Sequence, residues 1–227
     1  MNKIAAQLKA NYILTRVYLY GVLGAVAASV ISNVIVSLSL DESDSTQVSI
    51  VNMISIFLLF IAAVVPLASY RKMLNIGATR EDYYLGAISY YALWAALLSA
   101  VNVVWFPIER HAFGEIYKAF NLIDIFHWSD FGYLGSFLYQ FAAYMLLVSL
   151  LHMLFSGIRH FIGWILWVLL IAAIPIGTSI GVLRHKVADG FLQLLFNDRL
   201  WEGVGINLLL ACACLFIGWL FVRRREF

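Results

Sequence analysis

Residues 48–70 read VSIVNMISIFLLFIAAVVPLASY, an unbroken stretch with no Asp, Glu, Lys or Arg. At 1.5 Å rise per residue a helix of this length reaches about 35 Å, enough to cross a hydrocarbon core of about 30 Å. Hydrocarbon offers no partners to backbone N–H and C=O groups, so a run that crosses it must satisfy them internally, as a helix. Five more runs, at 17–40, 86–107, 132–156, 162–183 and 205–222, are equally free of those four residue types. The sequence therefore predicts an all-α, polytopic membrane protein with six transmembrane helices in a single domain, residues 1–227.

Composition agrees. The chain is 63% hydrophobic and 12% charged, with mean hydropathy +0.88, which excludes an ordinary soluble domain. The spans also bear on energetics. Transporters coupled to protons or ions keep ionisable residues at membrane depth, because those groups carry the coupled charge. Here only His152, near a span end, could serve. The expectation is a protein whose driving energy comes from outside its own spans.

Cys212 and Cys214 both fall in the sixth run, where a disulfide framework is not needed. With no nearby His or further Cys they read as small apolar packing residues rather than a soft-metal site, and no metal is expected. The N-terminus has basic residues, an apolar stretch and Ala25-Val26-Ala27, as a secretory signal would. The apolar stretch runs on to Leu40, well past a signal core, so it is read as a retained first span.

Basic residues set the orientation, since cytoplasmic loops carry the excess of Lys and Arg. With both termini on the cytoplasmic side, the inner segments hold Lys3, Lys9, Arg16, Arg71, Lys72, Arg80, Arg159, Arg223, Arg224 and Arg225. The outer segments hold Arg110, Lys118, Arg184, Lys186 and Arg199, half as many, and the first outer loop, 41–47, is acidic.

The inner connection at 71–86 reads RKMLNIGATREDYYLG. Gly77 can end the helix leaving the second span, because glycine adopts a left-handed backbone without penalty. Thr79 then reads as the N-cap of the next helix, and Asp82, three residues on, completes a capping-box pattern. Glu81 and Asp82 suit the positive end of that helix. The spacing predicts a tight elbow tipped by charges and flanked by Tyr83 and Tyr84. A capped turn with topology-setting charges has the same spacing.

The string Asn75-Ile76-Gly77-Ala78-Thr79-Arg80-Glu81-Asp82-Tyr83-Tyr84-Leu85-Gly86 resembles the segment after the second span in permeases of type-two ATP-binding-cassette exporters. These often read small-Gly-x-[Ser/Thr]-Arg-x-x-[Phe/Tyr]-[Phe/Tyr]-x-Gly there. The match covers about a dozen residues, together with the six-span layout. The resemblance implies a permease of a bacterial plasma membrane whose elbow docks on a separate ATPase subunit. Arg71, Lys72, Gly77, Ala78, Thr79, Arg80, Glu81 and Asp82 are then the coupling residues. It implies a second six-span permease as partner, in a homodimer or heterodimer. Such a chain is a transport subunit and not an enzyme, with ATP and Mg bound by the partner ATPase. The absence of any Gly-Lys dipeptide, and so of a phosphate loop, agrees with that division of labour.

Three flanking segments fit the same plan. Residues 1–16 place Ile4, Leu8 and Tyr12 on one helical face, as an amphipathic interfacial helix would. Segment 109–131 places Phe113, Ile116, Tyr117, Phe120 and Ile123 on one face, and Trp128 and Tyr133 suit the headgroup belt. Segment 184–204 mixes charges with the apolar cluster 191–196, and both segments read as extracellular and interfacial. In the fifth span, Ala173, Gly177 and Gly181 form a small-residue stripe suited to helix packing.

Two other functions are compatible with some of these features. One is a non-transporting sensor or assembly subunit that uses the elbow to hold a soluble partner. The other is an intramembrane hydrolase, suggested by Gly177-Thr178-Ser179-Ile180-Gly181, which matches Gly-x-Ser-x-Gly. His152 and His160 belong at the opposite membrane face from Ser179, beyond hydrogen-bond reach, and His185 alone is a thin substitute. Nothing suggests nucleic-acid binding. Polar residues within spans, Asn33, Asn52, Asn102, Gln140 and Ser149, could line a path or bond between helices. Strongly apolar, aromatic spans suit an amphipathic, peptide or lipid-like cargo better than a sugar or ion.

Overall fold

The apolar runs fold as helices, as backbone satisfaction in lipid requires. In the computed structural model, residues 3–40, 46–75, 77–112 and 118–224 are described. Helix α1 (Lys3–Leu40) is followed by strand β1 (Thr46–Val48). The second span is built in pieces: α2 (Ile50–Ser55), α3 (Phe57–Val64), a π-helical turn (Val65–Ser69) and α4 (Tyr70–Asn75). Pro66 sits in the first turn of the π segment, where its missing N–H breaks the regular ladder. Then come α5 (Arg80–Ala112), strand β2 (Lys118–Phe120), α6 (Leu122–Ile125), a 3₁₀ turn (Trp128–Phe131) and α7 (Gly132–Gly157). Helices α8 (Phe161–Ser179), α9 (Gly181–Leu195) and α10 (Leu200–Arg224) complete the chain.

Five segments are long and apolar enough to cross a membrane: Ile4–Asn33, Ile50–Asn75, Arg80–His111, Trp128–Gly157 and Leu200–Arg224. The run at 162–183, expected as the remaining span, differs. Its helix ends at Ser179, Ile180 takes an extended backbone (φ −93°, ψ 113°), and its apolar stretch Phe161–Gly177 is shorter than the other five. Helix α9 then turns back, so that a Cβ at Gly177 would lie 3.5 Å from Val187 Cγ2. Gly177, Thr178, Ser179 and Gly181 are all weak helix formers, and their clustering allows the break. Gly177 of the small-residue stripe thus packs within the chain, against α9.

Two other boundaries differ from the sequence expectation. Residues 4–16 are continuous with the first span instead of forming a separate helix, because no glycine or proline interrupts 3–20. Ile4 and Tyr12 are exposed, and the face turned inward is the polar one, Gln7, Asn11 and Thr15. Segment 109–131 is not one helix. Helix α5 continues through Pro107 to Ala112, Phe120 belongs to β2, and Ile123 lies in α6, whose N-cap Asn121 accepts from the Ile123 N–H at 3.0 Å. Phe113, Ile116 and Tyr117 lie outside the described residues, as does most of the acidic loop, 41–45.

The strands pair in parallel, with Gln47 opposite Ala119. They join the connection after α1 to the connection after α5 at one end of the bundle. The main core lies between α3, α5 and α7, where Phe57, Leu58, Ile61, Tyr90, Tyr91 and Val148 are fully buried. A second core lies near the strands: Trp128 stacks on Tyr139 with ring centroids 5.0 Å apart, beside Ile123 and Val204. It also anchors α9. Tyr139 Oη and Asn207 Nδ2 donate to the Leu194 carbonyl at 2.9 and 2.8 Å, and Trp128 Nε1 donates to the Leu195 carbonyl at 2.9 Å. These donors satisfy carbonyls left open at the helix end.

Candidate functional site: the elbow between the second and third helical segments

At the other end of the bundle, α4 stops at Asn75 and α5 begins at Arg80. Gly77 between them has φ +89°, the left-handed geometry expected of a glycine terminator. The Ala78 N–H reaches back to the Met73 carbonyl at 3.1 Å and the Gly77 N–H to that of Leu74 at 3.0 Å, closing the end of α4. The capping box forms in both directions. The Asp82 N–H donates to Thr79 Oγ1 at 3.0 Å, and the Thr79 N–H donates to Asp82 Oδ2 at 3.3 Å.

Around this turn Arg71, Lys72, Gly77, Thr79 and Glu81 are exposed, while Ala78, Arg80 and Asp82 are half-buried. Ile76 lies outside the described residues. The structure thus brings together the residues singled out in the sequence, and it adds a connection that sequence alone does not contain. Arg80 Nη1 donates to the main-chain carbonyl of Arg223, at the last turn of α10. Tyr84, one turn further along α5, donates to the Leu215 carbonyl of the same helix. Between α5 and α10 runs an apolar groove of about 420 Å³, with Tyr84, Leu85, Ile88, Phe216 and Trp219 in its walls and Glu81 at its rim.

The elbow is also braced from behind. Tyr83 Oη donates to the Val65 carbonyl at 3.2 Å, in the π segment, and its ring meets Tyr70 edge-on at 5.1 Å. A π turn shifts the ladder and leaves carbonyls to be met from elsewhere, and the Tyr83 hydroxyl meets one. Ser69 Oγ donates to Asn11 Oδ1 at 2.5 Å, and Thr15 Oγ1 lies 2.5 Å from Tyr90 Oη. The polar face of α1 is therefore held against the π segment and α5. Gln7 packs so closely on Gly86 that any Cβ there would overlap it. The first turns of α1, the elbow and the last turn of α10 all share one end of the bundle.

Deeper in, His152 is fully buried on α7. Its Nδ1 lies 2.7 Å from Tyr91 Oη and its Nε2 3.2 Å from Ser156 Oγ, and the Tyr84 ring packs edge-on at 5.5 Å. The serine that meets a histidine is thus Ser156, not Ser179, and both members of the pair are buried. Ser179 is exposed at the end of α8. Of the polar residues within spans, Asn52 donates to the Phe120 carbonyl, Gln140 to Tyr144 Oη and Ser149 to the Leu146 carbonyl. Their donors bond within or between elements.

The sequence reading missed Glu109, which it placed in an interfacial segment. It is 1% exposed at the far end of α5, hydrogen-bonded to Asn121. The available signal was spacing: Asn102 and Glu109 are seven residues, about two turns, apart and so share a helix face. Among the described residues no group of three or more His, Cys, Asp or Glu side chains is placed to hold a metal. No protein-family model, no curated protein and no solved structure matches this chain.

Proposed function

We propose that this chain is the membrane-spanning subunit of an ATP-driven exporter. Its elbow at 71–86 receives movement from a separate ATPase bound on the cytoplasmic side. The observation that carries this reading is the elbow's construction. A glycine-terminated, box-capped turn presents Arg71, Lys72, Thr79 and Glu81 outward, while Arg80 and Tyr84 tie its rear to α10 and Tyr83 ties it to the π segment. A rigid, charged knuckle bonded to two other helices is suited to passing a push into the bundle. A turn that only reversed the chain would need no such bracing.

In this reading closure of the partner ATPases shifts the elbow, and the bonds from Arg80, Tyr83 and Tyr84 carry the shift to α10 and the second span. Both termini lie on the cytoplasmic side, in agreement with the distribution of basic residues, and the short fifth apolar helix, α8, leads to the back-folded α9 on the outer side. A second copy, or a related permease, completes the pathway. The broad apolar surface of α1, α8 and α10 suits an amphipathic, peptide or lipid-like cargo. ATP and Mg belong to the partner, and the membrane is a bacterial plasma membrane.

The test is reconstitution. The chain and a candidate partner ATPase are placed in proteoliposomes, and movement of a fluorescent amphipathic peptide is followed with and without ATP. ATP-dependent movement that is lost on reversing Arg80 and Glu81 (R80E/E81R) supports the assignment. Transport by the chain alone, or unchanged transport by the reversed variant, overturns it.

A further inference from the structure

The groove between α5 and α10 is apolar along its length and carries opposite charges on its two walls at the elbow end. On α5, Tyr84, Leu85 and Ile88 follow Glu81 at helical spacing, and all four line the groove. On α10 the wall is Phe216 and Trp219. Arg223 stands two turns beyond Phe216 and one beyond Trp219, on the same face of that helix. The bond from Arg80 to the Arg223 carbonyl holds this end of α10 beside the first turn of α5. Glu81 and Arg223 are exposed, and among the described residues no ion pair engages either one. The groove thus ends in a carboxylate on one wall and a guanidinium on the other.

Its floor is fixed. The Tyr84 hydroxyl donates to the Leu215 carbonyl across it, and the Tyr84 and Trp219 rings pack with centroids 5.1 Å apart. Leu85 and Phe216 form the lips, 58% and 65% exposed, on two helices long enough to cross a membrane. The groove therefore opens sideways, toward hydrocarbon. Its volume of about 420 Å³ falls among small-molecule clefts, and the stretch from Glu81 to Ile88 is about 10 Å long. An apolar trough open to lipid takes an acyl chain, and whatever meets its charged end is attached to that chain.

The two walls decide the headgroup. A group of one sign would be attracted by one wall and repelled by the other, whereas a group carrying both signs satisfies both. A guanidinium matches phosphate by paired N–H bonds, and a carboxylate accepts charge-assisted bonds from a primary ammonium. Trp219 suits the headgroup level, where indole rings concentrate.

We propose that this groove binds one molecule of phosphatidylethanolamine. An acyl chain lies along Leu85, Ile88 and Phe216, the phosphate meets Arg223 and the ammonium meets Glu81. The bound lipid extends the tie between α5 and α10 that Arg80 begins. The proposal does not rest on the exporter reading, and its test needs no ATPase.

The full chain is stripped of lipid by detergent exchange and titrated in micelles with phosphatidylethanolamine or phosphatidylglycerol of the same acyl chains. Native mass spectrometry counts lipids per chain. The expected result is one saturable phosphatidylethanolamine, bound at least tenfold more tightly than phosphatidylglycerol, which has no ammonium. Glu81→Gln and Arg223→Gln should each raise its half-saturating concentration at least fivefold. Both side chains are exposed, so the lipid-free thermal midpoints should stay at the wild-type value. Leu85→Trp, which fills the trough and leaves the charges in place, should weaken both lipids and carries the comparison if a charge variant fails to fold. Equal binding of the two lipids, unchanged binding in the folded variants, or a dimer of chains that retains no lipid overturns the proposal.

Discussion

The guanidinium of Arg80, at the start of α5, donates to the main-chain carbonyl of Arg223 at the end of α10, a residue 143 positions further along the chain. An elbow side chain thereby closes the end of the last helix, where open carbonyls accumulate. Replacing Arg80 by Ala removes that donor at a half-buried site near the end of the bundle, so stability should fall by about 1 kcal/mol. On the proposed exporter reading, R80A is expected to leave binding of the partner ATPase in place while ATP-dependent transport drops at least tenfold. Equal losses of binding and transport would assign Arg80 to docking alone.

Thr79 and Asp82 each answer an open backbone N–H of the other's turn. Thr79→Ala should cost about 1 kcal/mol of unfolding free energy, and Asp82→Ala a similar amount. The double substitution should cost less than the sum, because the two bonds form one motif. Denaturant unfolding of the three variants in micelles measures this, and strict additivity would refute a shared box.

Gly77, at φ +89°, has no neighbouring atoms within 4 Å of the place a Cβ would take, so substitution there strains the backbone without causing a clash. Gly77→Ala should lower stability by about 1 to 2 kcal/mol, while Gly77→Asn should cost less, since Asn tolerates the left-handed region. Equal effects of the two would mean that space, not φ, controls the position.

His152 has hydrogen-bond partners on both ring nitrogens, one of them the Tyr91 hydroxyl at 2.7 Å. Tyr91→Phe preserves the ring and removes the partner, at a cost of about 1 kcal/mol. His152→Ala also opens a cavity beside Tyr84 and should cost about 3 kcal/mol. Thermal midpoints of the two single variants and the double variant would give the coupling energy between them. A coupling near zero would rule out the bond.

Glycines at similar positions on α10 should respond oppositely. A Cβ at Gly203 would overlap the Tyr139 ring, which is itself held by its bond to the Leu194 carbonyl, whereas Gly205 faces open space. Gly203→Ala should destabilise by about 1 to 3 kcal/mol and loosen α9. Gly205→Ala should be neutral or slightly stabilising. Matched midpoints for both variants would contradict the packing.

The elbow is legible in the sequence because its signals are local: a glycine, then Thr79 and Asp82 at box spacing, all within six residues. The break at Ile180 was harder to see. The run at 162–183 has the hydropathy of a span, and nothing in hydropathy records that α9 folds back on Gly177. Residues 4–16 misled for a related reason. Ile4, Leu8 and Tyr12 form an apolar face, but Gln7, Asn11 and Thr15 found polar partners on other helices, so the polar face turned inward.

Hydropathy and charge by themselves determined that this chain is a bundle of membrane helices, because lipid leaves an uncharged run of that length no other way to satisfy its backbone. Local capping chemistry likewise determined where one of the turns falls. Only the tertiary structure decided that Arg80 meets Arg223, that Tyr83 reaches the π segment, and that Ser49, Asn102, Glu109 and Asn121 converge. Those partners lie 12 to 143 positions apart, and hydrogen bonds at such separations depend on how helices pack and which carbonyls they leave open.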